Sequence, residues 1–292
     1  MIYQLLFIFV FLVSCANTQG KKEKADNRAL LIPQKGLMLD LDATKGLKLN
    51  SVGGVLSWTN QVKTATAKIF KPNPIGRKNP ERGVPSFLPK EKSVGKYPTI
   101  QFRCQELINH KEDVFDKLTQ GTGHTWIGII AVYDQTSDRS NTHAFFGNLC
   151  NGEKYEGFWG VIHDDRKFYV GTRNGINFER NGINNPEVLS KTILEKKRLY
   201  LVAGRMATGT EEVKVELFLN SHISESQRMT PVNPKSNPSK MAIGQERDAT
   251  NHPGAESFDG EIARFLIYDR PLSGSELQQL TNELIKHYDL RN

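Results

Sequence analysis

Oxygen-donor side chains gather in residues 246–259, a stretch that shows no apolar periodicity. Carboxylate and amide oxygens in an irregular loop are the ligands that Ca²⁺ prefers. The segment therefore predicts a calcium site, and no other cofactor is indicated. In the alternative, which stays open, the carboxylates pair with Arg247 and cap backbone amides without a metal. The side chains concerned are Asp248, Asn251, Glu256 and Asp259.

A second group with chemical potential lies in the predicted hairpin of residues 157–173. Asp164 and Asp165 are typical of its turn, which would place His163 opposite Arg166. Counting outward from that turn pairs Val161 with Phe168 and Trp159 with Val170. This face is apolar, so it is predicted to point into the core, and Trp159 is interpreted as a packing residue.

The opposite face of the same hairpin combines two glycines with an aromatic ring and two cations. Glycines leave room for a ligand to approach the strands, a tyrosine ring can stack on it, and cations can contact anionic groups. This face therefore predicts a ligand site. A shift of one residue in the turn would exchange the two faces. The predicted ligand-binding side chains are Tyr169, Arg173 and Lys167.

Cys15 follows the apolar run of residues 5–13, which is too short to span a bilayer as a helix. The run suits the apolar part of a secretory signal. Residues 12–15, Leu-Val-Ser-Cys, resemble the bacterial lipobox, in which the cysteine is cut free at its amino side and acylated. We expect Cys15 to be lipidated and to anchor the protein. An ordinary signal peptide with an incidental cysteine is the alternative.

Two other cysteines, Cys104 and Cys150, complete the count of three. An even pair in an oxidising compartment predicts a disulfide. Two buried thiols are an equally good interpretation, because the sequence does not show whether the two residues lie within bridging distance.

The composition of the chain is that of an ordinary globular protein. It has 292 residues, 24% charged and 38% hydrophobic, with 39 basic and 32 acidic residues giving a net charge of +7. These values exclude collagen-like and wholly disordered chains. The basic residues are scattered, so no nucleic-acid partner is predicted. We divide the chain into a signal peptide (1–14), a lipidated flexible tether (15–33) and one domain (34–292).

The elements that must position these residues are mostly strands. Apolar and polar residues alternate with period two from residue 36 onward, and turn residues separate the runs. Residues 125–133 are apolar on both faces and predict a central buried strand. Many strands without helical crossovers predict an all-β antiparallel sandwich. Residues 71–92, rich in Pro, Lys and Asn, are predicted to be a loop.

One helix is predicted, at the end of the chain. Ser273 and Glu276 have the spacing of a capping box. An apolar stripe then recurs at helical spacing, so the helix is expected to lie against the sandwich. Its members are Leu277, Leu280, Leu284 and Tyr288.

Residues 258–273, FDGEIARFLIYDRPLS, together with Glu276 and Leu277 resemble the C-terminal signature of bacterial laminin G-like, or concanavalin A-like lectin/glucanase, domains. Residues 37–43 and 58–61 resemble the N-terminal strands of the same group. The resemblance covers nearly the whole mature chain. It implies a two-sheet jelly-roll sandwich, often with a glycan site on a concave face, and related sandwiches often bind Ca²⁺ near strand ends.

The resemblance does not by itself indicate an enzyme. Sandwich glucanases carry E-x-D-x-x-E on a strand, which sets two carboxylates about 5 Å apart for retaining hydrolysis. Residues 211–216 and 246–248 come nearest and lack that spacing. Tyr169, Arg173, His163 and His143 could be combined into a lyase site, but many surfaces offer such a set. Binding is therefore favoured over catalysis.

Taken together, the sequence predicts a lipid-anchored carbohydrate-binding protein of a polysaccharide-degrading bacterium. Its localisation is expected to be the cell envelope, at the surface or periplasmic face of the outer membrane. The excess of basic residues favours an anionic polysaccharide partner, such as a sulfated or uronic-acid algal glycan. The alternatives are a hydrolase or lyase on the same fold and a structural module that binds protein.

Overall fold

The computed structural model describes residues 30–72, 83–137, 139–150, 155–176, 186–246 and 255–290. In these ranges the chain forms β-strands and a single α-helix, α1 (Gly274–His287). The strands in chain order are β1 (Leu37–Asp42), β2 (Leu47–Leu49), β3 (Val55–Thr59), β4 (Ile69–Phe70), β5 (Ser86–Leu88), β6 (Thr99–Arg103), β7 (Leu107–Ile108), β8 (His124–Val132), β9 (His143–Gly147), β10 (Glu156–Ile162), β11 (Phe168–Asn174), β12 (Glu187–Leu189), β13 (Leu199–Met206), β14 (Glu212–Leu219), β15 (Ser226–Pro231), β16 (Ala242–Ile243) and β17 (Asp259–Tyr268).

The first large sheet has the strand order β15-β14-β13-β8-β17-β6-β5, and β1 also pairs with β17. Strand β8 lies in its middle and is buried along its whole length, which confirms the predicted central strand. Its side chains alternate between two apolar environments. Trp126 and Ile130 point into the core between the sheets, whereas Ile127 and Ile129 belong to the cluster beneath α1.

The second sheet has the order β12-β11-β10-β9-β16-β7 and packs face to face on the first. Aromatic rings fill the space between them. The ring of Phe146, from β9, lies 4.9 Å from that of Trp126 on β8 and 4.7 Å from that of Phe265 on β17. The predicted all-β antiparallel sandwich is therefore confirmed.

Helix α1 covers the outer face of the first sheet, as predicted. The Ser273 hydroxyl accepts the Glu276 amide at 3.2 Å, and the Glu276 carboxylate accepts the Ser273 amide at 2.9 Å, so the capping box forms. Leu277, Leu280 and Leu284 are fully buried against the sheet. Each such leucine stabilises the docked helix by about 1.5–3 kcal/mol.

Short edge strands are the elements that the sequence did not show. Residues 71–92 were expected to form a loop, but Ser86–Leu88 forms β5 and pairs with β6. A three-residue strand is too short to display an alternating pattern, which is why the prediction was wrong there. A third, small sheet has the order β2-β3-β4.

The start of the described chain lies against the domain. Leu30 and Ile32, which were predicted to belong to the tether, pack on the apolar cluster beneath α1. Within the described residues, no helix combines the length and the apolar character that crossing a bilayer requires. Cys15 and the signal segment lie outside the described residues, so their assignment stays a prediction.

Candidate functional site

The hairpin formed by β10 and β11 has a different register from the predicted one. Ile162 pairs with Phe168 and Trp159 with Gly171, one residue away from the expected pairing. The turn contains an extra residue because Arg166 adopts the left-handed conformation, with φ +64°. A turn that ends in such a residue is a common three-residue hairpin connection. The predicted register was wrong because it assumed a two-residue turn formed by Asp164 and Asp165 alone.

The observed register changes which residues of β10 lie beside the predicted ligand-binding residues of β11. It does not change where those residues lie on β11. Phe158 and Phe168 point into the core between the sheets. Trp159, Val161 and Tyr169 share the outer face and form a cluster of their own. The sequence predicted that Trp159 and Tyr169 lie on different faces of the hairpin, and this prediction was wrong.

Trp159 lies between two glycines. Its neighbour on β9 is Gly147 and its neighbour on β11 is Gly171. A Cβ atom on Gly171 would stand 2.2 Å from Cζ2 of the indole, so the ring lies directly on the glycine backbone. The indole Nε1 is buried, and the described part of the chain offers it no hydrogen-bond partner. A ring seated in this way needs glycine beside it, which explains the glycine of β11.

Arg173 also belongs to this face. Its guanidinium carbon lies 5.7 Å from the Trp159 ring centre and 5.5 Å from that of Tyr155, distances at which a cation is attracted to an aromatic ring. Arg173 is only 7% exposed and Tyr169 only 4%. Arg173 and Tyr169 thus both lie beside Trp159 on the same face, as predicted. Their burial, however, keeps them away from solvent.

Lys167, the third predicted ligand-binding residue, lies in the turn rather than on the strand. Its ammonium group is 3.1 Å from Asp165, and its amide donates to the same carboxylate at 3.0 Å. Tyr169 reaches the next loop, where its hydroxyl donates to the Asn141 carbonyl at 3.2 Å. The binding role of Tyr169, Arg173 and Lys167 stays a prediction.

An open groove of about 410 Å³ lies elsewhere, at the ends of β6 and β8 and before the start of β13. This volume is within the usual range for a small-ligand site, about 300–1,000 Å³. The lining of the groove carries three cations and the carboxylate of Asp134, and two buried carboxylates, Asp259 and Glu261, lie behind it against Arg103 and Tyr133. We call this set of residues the basic groove: Gln101, Arg103, Tyr133, Asp134, Lys196 and Lys197.

The strand order brings these cations together. Lys197 donates its amide to the Val132 carbonyl at 2.9 Å, which fixes the segment before β13 beside the end of β8. Arg103, the last residue of β6, pairs with Asp259, the first residue of β17. Residues separated by up to 96 positions in the sequence, from Gln101 to Lys197, therefore line one groove. No local pattern could have revealed it.

The three cations of the basic groove differ in how closely a carboxylate is paired with them. Arg103 lies 3.7 Å from the buried Asp259, and Lys196 forms an ion pair with Asp134. Lys197 is exposed, and no ion pair involving it is found among the residues that the structure describes. Lys197, at least, can therefore pair with an incoming anion.

Tyr133 provides the aromatic wall of the basic groove. The Arg103 guanidinium carbon lies 5.5 Å from its ring centre. Burial, together with the hydrogen bond that its hydroxyl donates to Glu261, raises the pKa of Tyr133 to about 12. The phenol therefore stays protonated at neutral pH. Glu261 also accepts the Thr99 hydroxyl at 2.8 Å, so this wall is firmly held.

The predicted calcium ligands are only partly described. Asp248 and Asn251 lie outside the described residues, whereas Glu256 and Asp259 are buried. One oxygen of Asp259 already accepts the Thr136 amide at 2.7 Å and its hydroxyl at 2.6 Å. Within the described ranges, no three His, Cys, Asp or Glu side chains are grouped as metal ligands would be. A calcium site at residues 248–259 stays a prediction.

The predicted disulfide is not formed, because Cys104 and Cys150 are both thiols in the structure. Cys104 is buried beside Asp259, with its sulfur 3.6 Å from a carboxylate oxygen. Cys150 is half-buried and pairs through its backbone with Glu156, at the start of β10. Of the two interpretations that the sequence left open, the structure corresponds to the pair of thiols.

Two antiparallel sheets packed face to face define the sandwich class to which lectin-like domains belong. Residues 110–278 match the family model of the concanavalin A-like lectin/glucanase superfamily. The match covers more than half of the chain, so the protein belongs to that superfamily. No protein of curated function matched the sequence.

Solved structures share the fold at low sequence identity. A Trypanosoma rangeli sialidase in complex with sialic acid has a TM-score of 0.55 and 13% identity, over 88% of this chain and 34% of the sialidase. The binding domain of Paraclostridial Mosquitocidal Protein 1 has a TM-score of 0.53 and 11% identity, over 86% and 53%. Domain 4 of AbnA, an extracellular arabinanase from Geobacillus stearothermophilus, in complex with arabinotriose, has a TM-score of 0.49 and 14% identity, over 84% and 98%.

The chain thus spans about a third of the sialidase and about half of the mosquitocidal protein chain. At 13% and 11% identity, the likenesses to the sialidase and to the mosquitocidal binding domain concern the fold alone.

Proposed function

We propose that the protein binds an anionic polysaccharide in the basic groove and is held at the bacterial cell envelope by a lipid on Cys15. The observation that carries this proposal is the groove itself, which is open, presents the exposed ammonium group of Lys197 and has a tyrosine wall. Membership of a lectin and glucanase superfamily supports a sugar as the ligand. The sialidase that shares the fold was solved with sialic acid, itself an acidic sugar.

The charges of the basic groove favour sulfate or carboxylate substituents on the sugar. Charge-assisted hydrogen bonds of arginine or lysine to such groups contribute roughly 1.5–3 kcal/mol each when they are partly desolvated. Lys197 has an exposed ammonium group, and Arg103 is half exposed beside the Tyr133 ring. A sugar ring on Tyr133 could therefore place an acidic group near both cations.

The face around Tyr169 is the second place where a sugar could bind. It combines aromatic rings with Arg173, but Tyr169 and Arg173 are both buried there. The basic groove, in contrast, is open. We therefore assign the primary contact to the basic groove. The expected biological role is the capture of sulfated or uronic-acid polysaccharides, such as those of algal cell walls, during their degradation.

The test uses the soluble domain in native gels that contain a sulfated galactan, polygalacturonate or a neutral β-glucan. We expect retardation by the two acidic polymers, which weakens as salt rises because screening reduces charge attraction. The variant Arg103→Gln/Lys196→Gln/Lys197→Gln should lose at least about tenfold in affinity, equivalent to 1.4 kcal/mol. Retardation by the neutral glucan alone would overturn the proposal.

A matched control removes the same charge elsewhere. Lys48 and Lys63 are exposed and Arg228 lies exposed on the edge strand β15, and none of them lines the basic groove. The variant Lys48→Gln/Lys63→Gln/Arg228→Gln should bind like the parent protein. An equal loss in both variants would mean that net charge, not the groove, determines binding. Arg173→Ala tests the other face, where a loss of about tenfold, with the groove variant unaffected, would move the site there.

A further inference from the structure

Three side chains outside the basic groove form a continuous row of hydrogen bonds. The hydroxyl of Ser137 lies 2.7 Å from Nδ1 of His143, and Nε2 of the same imidazole lies 2.7 Å from Oδ1 of Asp164. A serine, a histidine and an aspartate linked in this order are the components of a nucleophilic acyl-transfer site.

The loop that carries Ser137 is fixed on its N-terminal side by β17. The Thr136 amide and hydroxyl donate to Asp259 Oδ2 at 2.7 and 2.6 Å. The Asp259 amide in turn donates to Gln135 Oε1 at 2.9 Å. The two residues before Ser137 are therefore clamped, which limits the positions that its hydroxyl can adopt.

The other two members are fixed by strands β9 and β10 and the turn beyond them. His143 begins β9, pairs with Ile162 and is 2% exposed. Asp164 lies in the turn after β10 and exchanges two hydrogen bonds with Asn141, one donated by each backbone amide, at 3.0 and 3.1 Å. The imidazole is thus oriented by contacts that do not involve Ser137.

These contacts determine which nitrogen of His143 carries the proton. The Asn141 amide and the His143 ring hold the pKa of Asp164 below its usual range, so Asp164 is ionised at neutral pH. An ionised carboxylate only accepts hydrogen bonds, so Nε2 of His143 must be the donor. Nδ1 of the neutral ring then has a lone pair directed at the Ser137 hydroxyl. This is the arrangement of a general base beside its nucleophile.

We propose that Ser137 is the nucleophile of an ester-cleaving site, with His143 as its general base and Asp164 as the residue that orients the base. The Ser137 oxygen attacks the ester carbonyl carbon while its proton passes to Nδ1 of His143. The bond from the carbonyl carbon to the alcohol oxygen breaks, and the alcohol leaves with that proton. Water then attacks the acyl-serine, again through His143, and releases the acid and the free hydroxyl.

The surroundings of Ser137 indicate the substrate class. Ser140, Asn141 and Thr142 make the adjacent loop polar, and Ser137 itself is partly exposed. A polar, open surrounding suits a short acyl group such as acetyl rather than a long apolar chain.

The ring nitrogens of His143 have exchanged roles relative to the serine-protease template, in which Nε2 faces the serine. The imidazole still has one accepting nitrogen, which faces the serine, and one donating nitrogen, which faces the aspartate. This activity is independent of the proposed glycan binding.

The first test is covalent labelling. The protein is incubated with a fluorophosphonate, which reacts with activated serines, and the modified peptide is identified by mass spectrometry. We expect one adduct, on Ser137, and no adduct in Ser137→Ala. Ser140→Ala is the matched control, since it changes a serine of the same loop that is not in the row. Labelling at another serine, or none at all, would overturn the proposal.

The second test measures hydrolysis of p-nitrophenyl acetate as a function of pH. The rate should fall in acid, because a protonated imidazole cannot accept the serine proton, and it should vanish in Ser137→Ala. Asp164→Asn should reduce kcat by about 10⁴-fold, the effect of the equivalent change in serine proteases. Circular dichroism verifies that each variant is folded. If Ser137→Ala and the parent protein hydrolyse the ester at the same rate, the row is merely structural.

Discussion

Arg264 and Asp40 form a buried, two-point ion pair that joins the two ends of the domain. Nε of Arg264 donates to one Asp40 oxygen at 2.9 Å and its terminal nitrogen donates to the other at 2.8 Å. A third contact reaches Asp42 at 3.3 Å. Both acids lie on β1 and Arg264 lies on β17, so the motifs that resemble one family from opposite ends of the sequence meet in space.

Removing one partner of this ion pair should be costly, because the other charge would stay buried. Arg264→Leu is expected to lower the free energy of unfolding by about 3–5 kcal/mol, as measured by urea denaturation. Lys117→Ala is the control, since it breaks a largely exposed pair with Asp269 at 3.0 Å. That change should cost no more than about 1 kcal/mol. Similar losses in the two variants would contradict this assignment.

The contact between Trp159 and Gly171 leads to a prediction about packing. In Gly171→Ala the new methyl group would overlap the indole, so either the ring or the strand must move. The free energy of unfolding should fall by about 1–3 kcal/mol. Gly274→Ala is the matched control, because nothing lies within 4 Å of a Cβ at this first helical position. It should leave the stability unchanged or raise it by up to about 1 kcal/mol.

His124 should make the fold sensitive to acid. Burial lowers its pKa from 6.5 to about 4, against a smaller opposing effect of its hydrogen bond to the Leu118 carbonyl. The unfolded chain therefore binds the proton between pH 6.5 and 4 while the folded chain does not, so stability falls as pH falls through that window. The expected loss is about 3 kcal/mol by pH 4.

The comparison with His124→Gln isolates this effect. Burial raises the pKa of Asp116 to about 6, which favours the fold in acid, but this contribution is present in both proteins. The difference in their free energies of unfolding should therefore shrink from pH 7 to pH 4. A difference that is constant across the series would contradict the assignment.

Lipid anchoring gives a prediction in cells. Cys15→Ser should move the protein from the membrane fraction to the soluble fraction, because it removes the site of acylation. Metabolic labelling with a fatty acid should mark the parent protein and not the variant. Asn17→Ser, two residues beyond the cysteine, is the control and should stay in the membrane fraction. Full recovery of Cys15→Ser in membranes would exclude Cys15 as the anchor.

The sequence by itself determined the class of fold and the long elements. Strand β8 and helix α1 could be predicted because their patterns are local: a continuous apolar run for the one, a capping box and an apolar stripe for the other. The signature around Arg264 identified the family for the same reason. Short edge strands such as β5 were missed because three residues cannot display a period.

Only the tertiary structure decided the candidate sites. A single left-handed residue, Arg166, set the register of the β10–β11 hairpin and thereby placed Trp159 on the outer face. The basic groove and the row from Ser137 to Asp164 bring together residues that are distant in the chain. The order and register of the strands determine which side chains meet there, and those depend on packing across the whole sandwich. No local pattern records them.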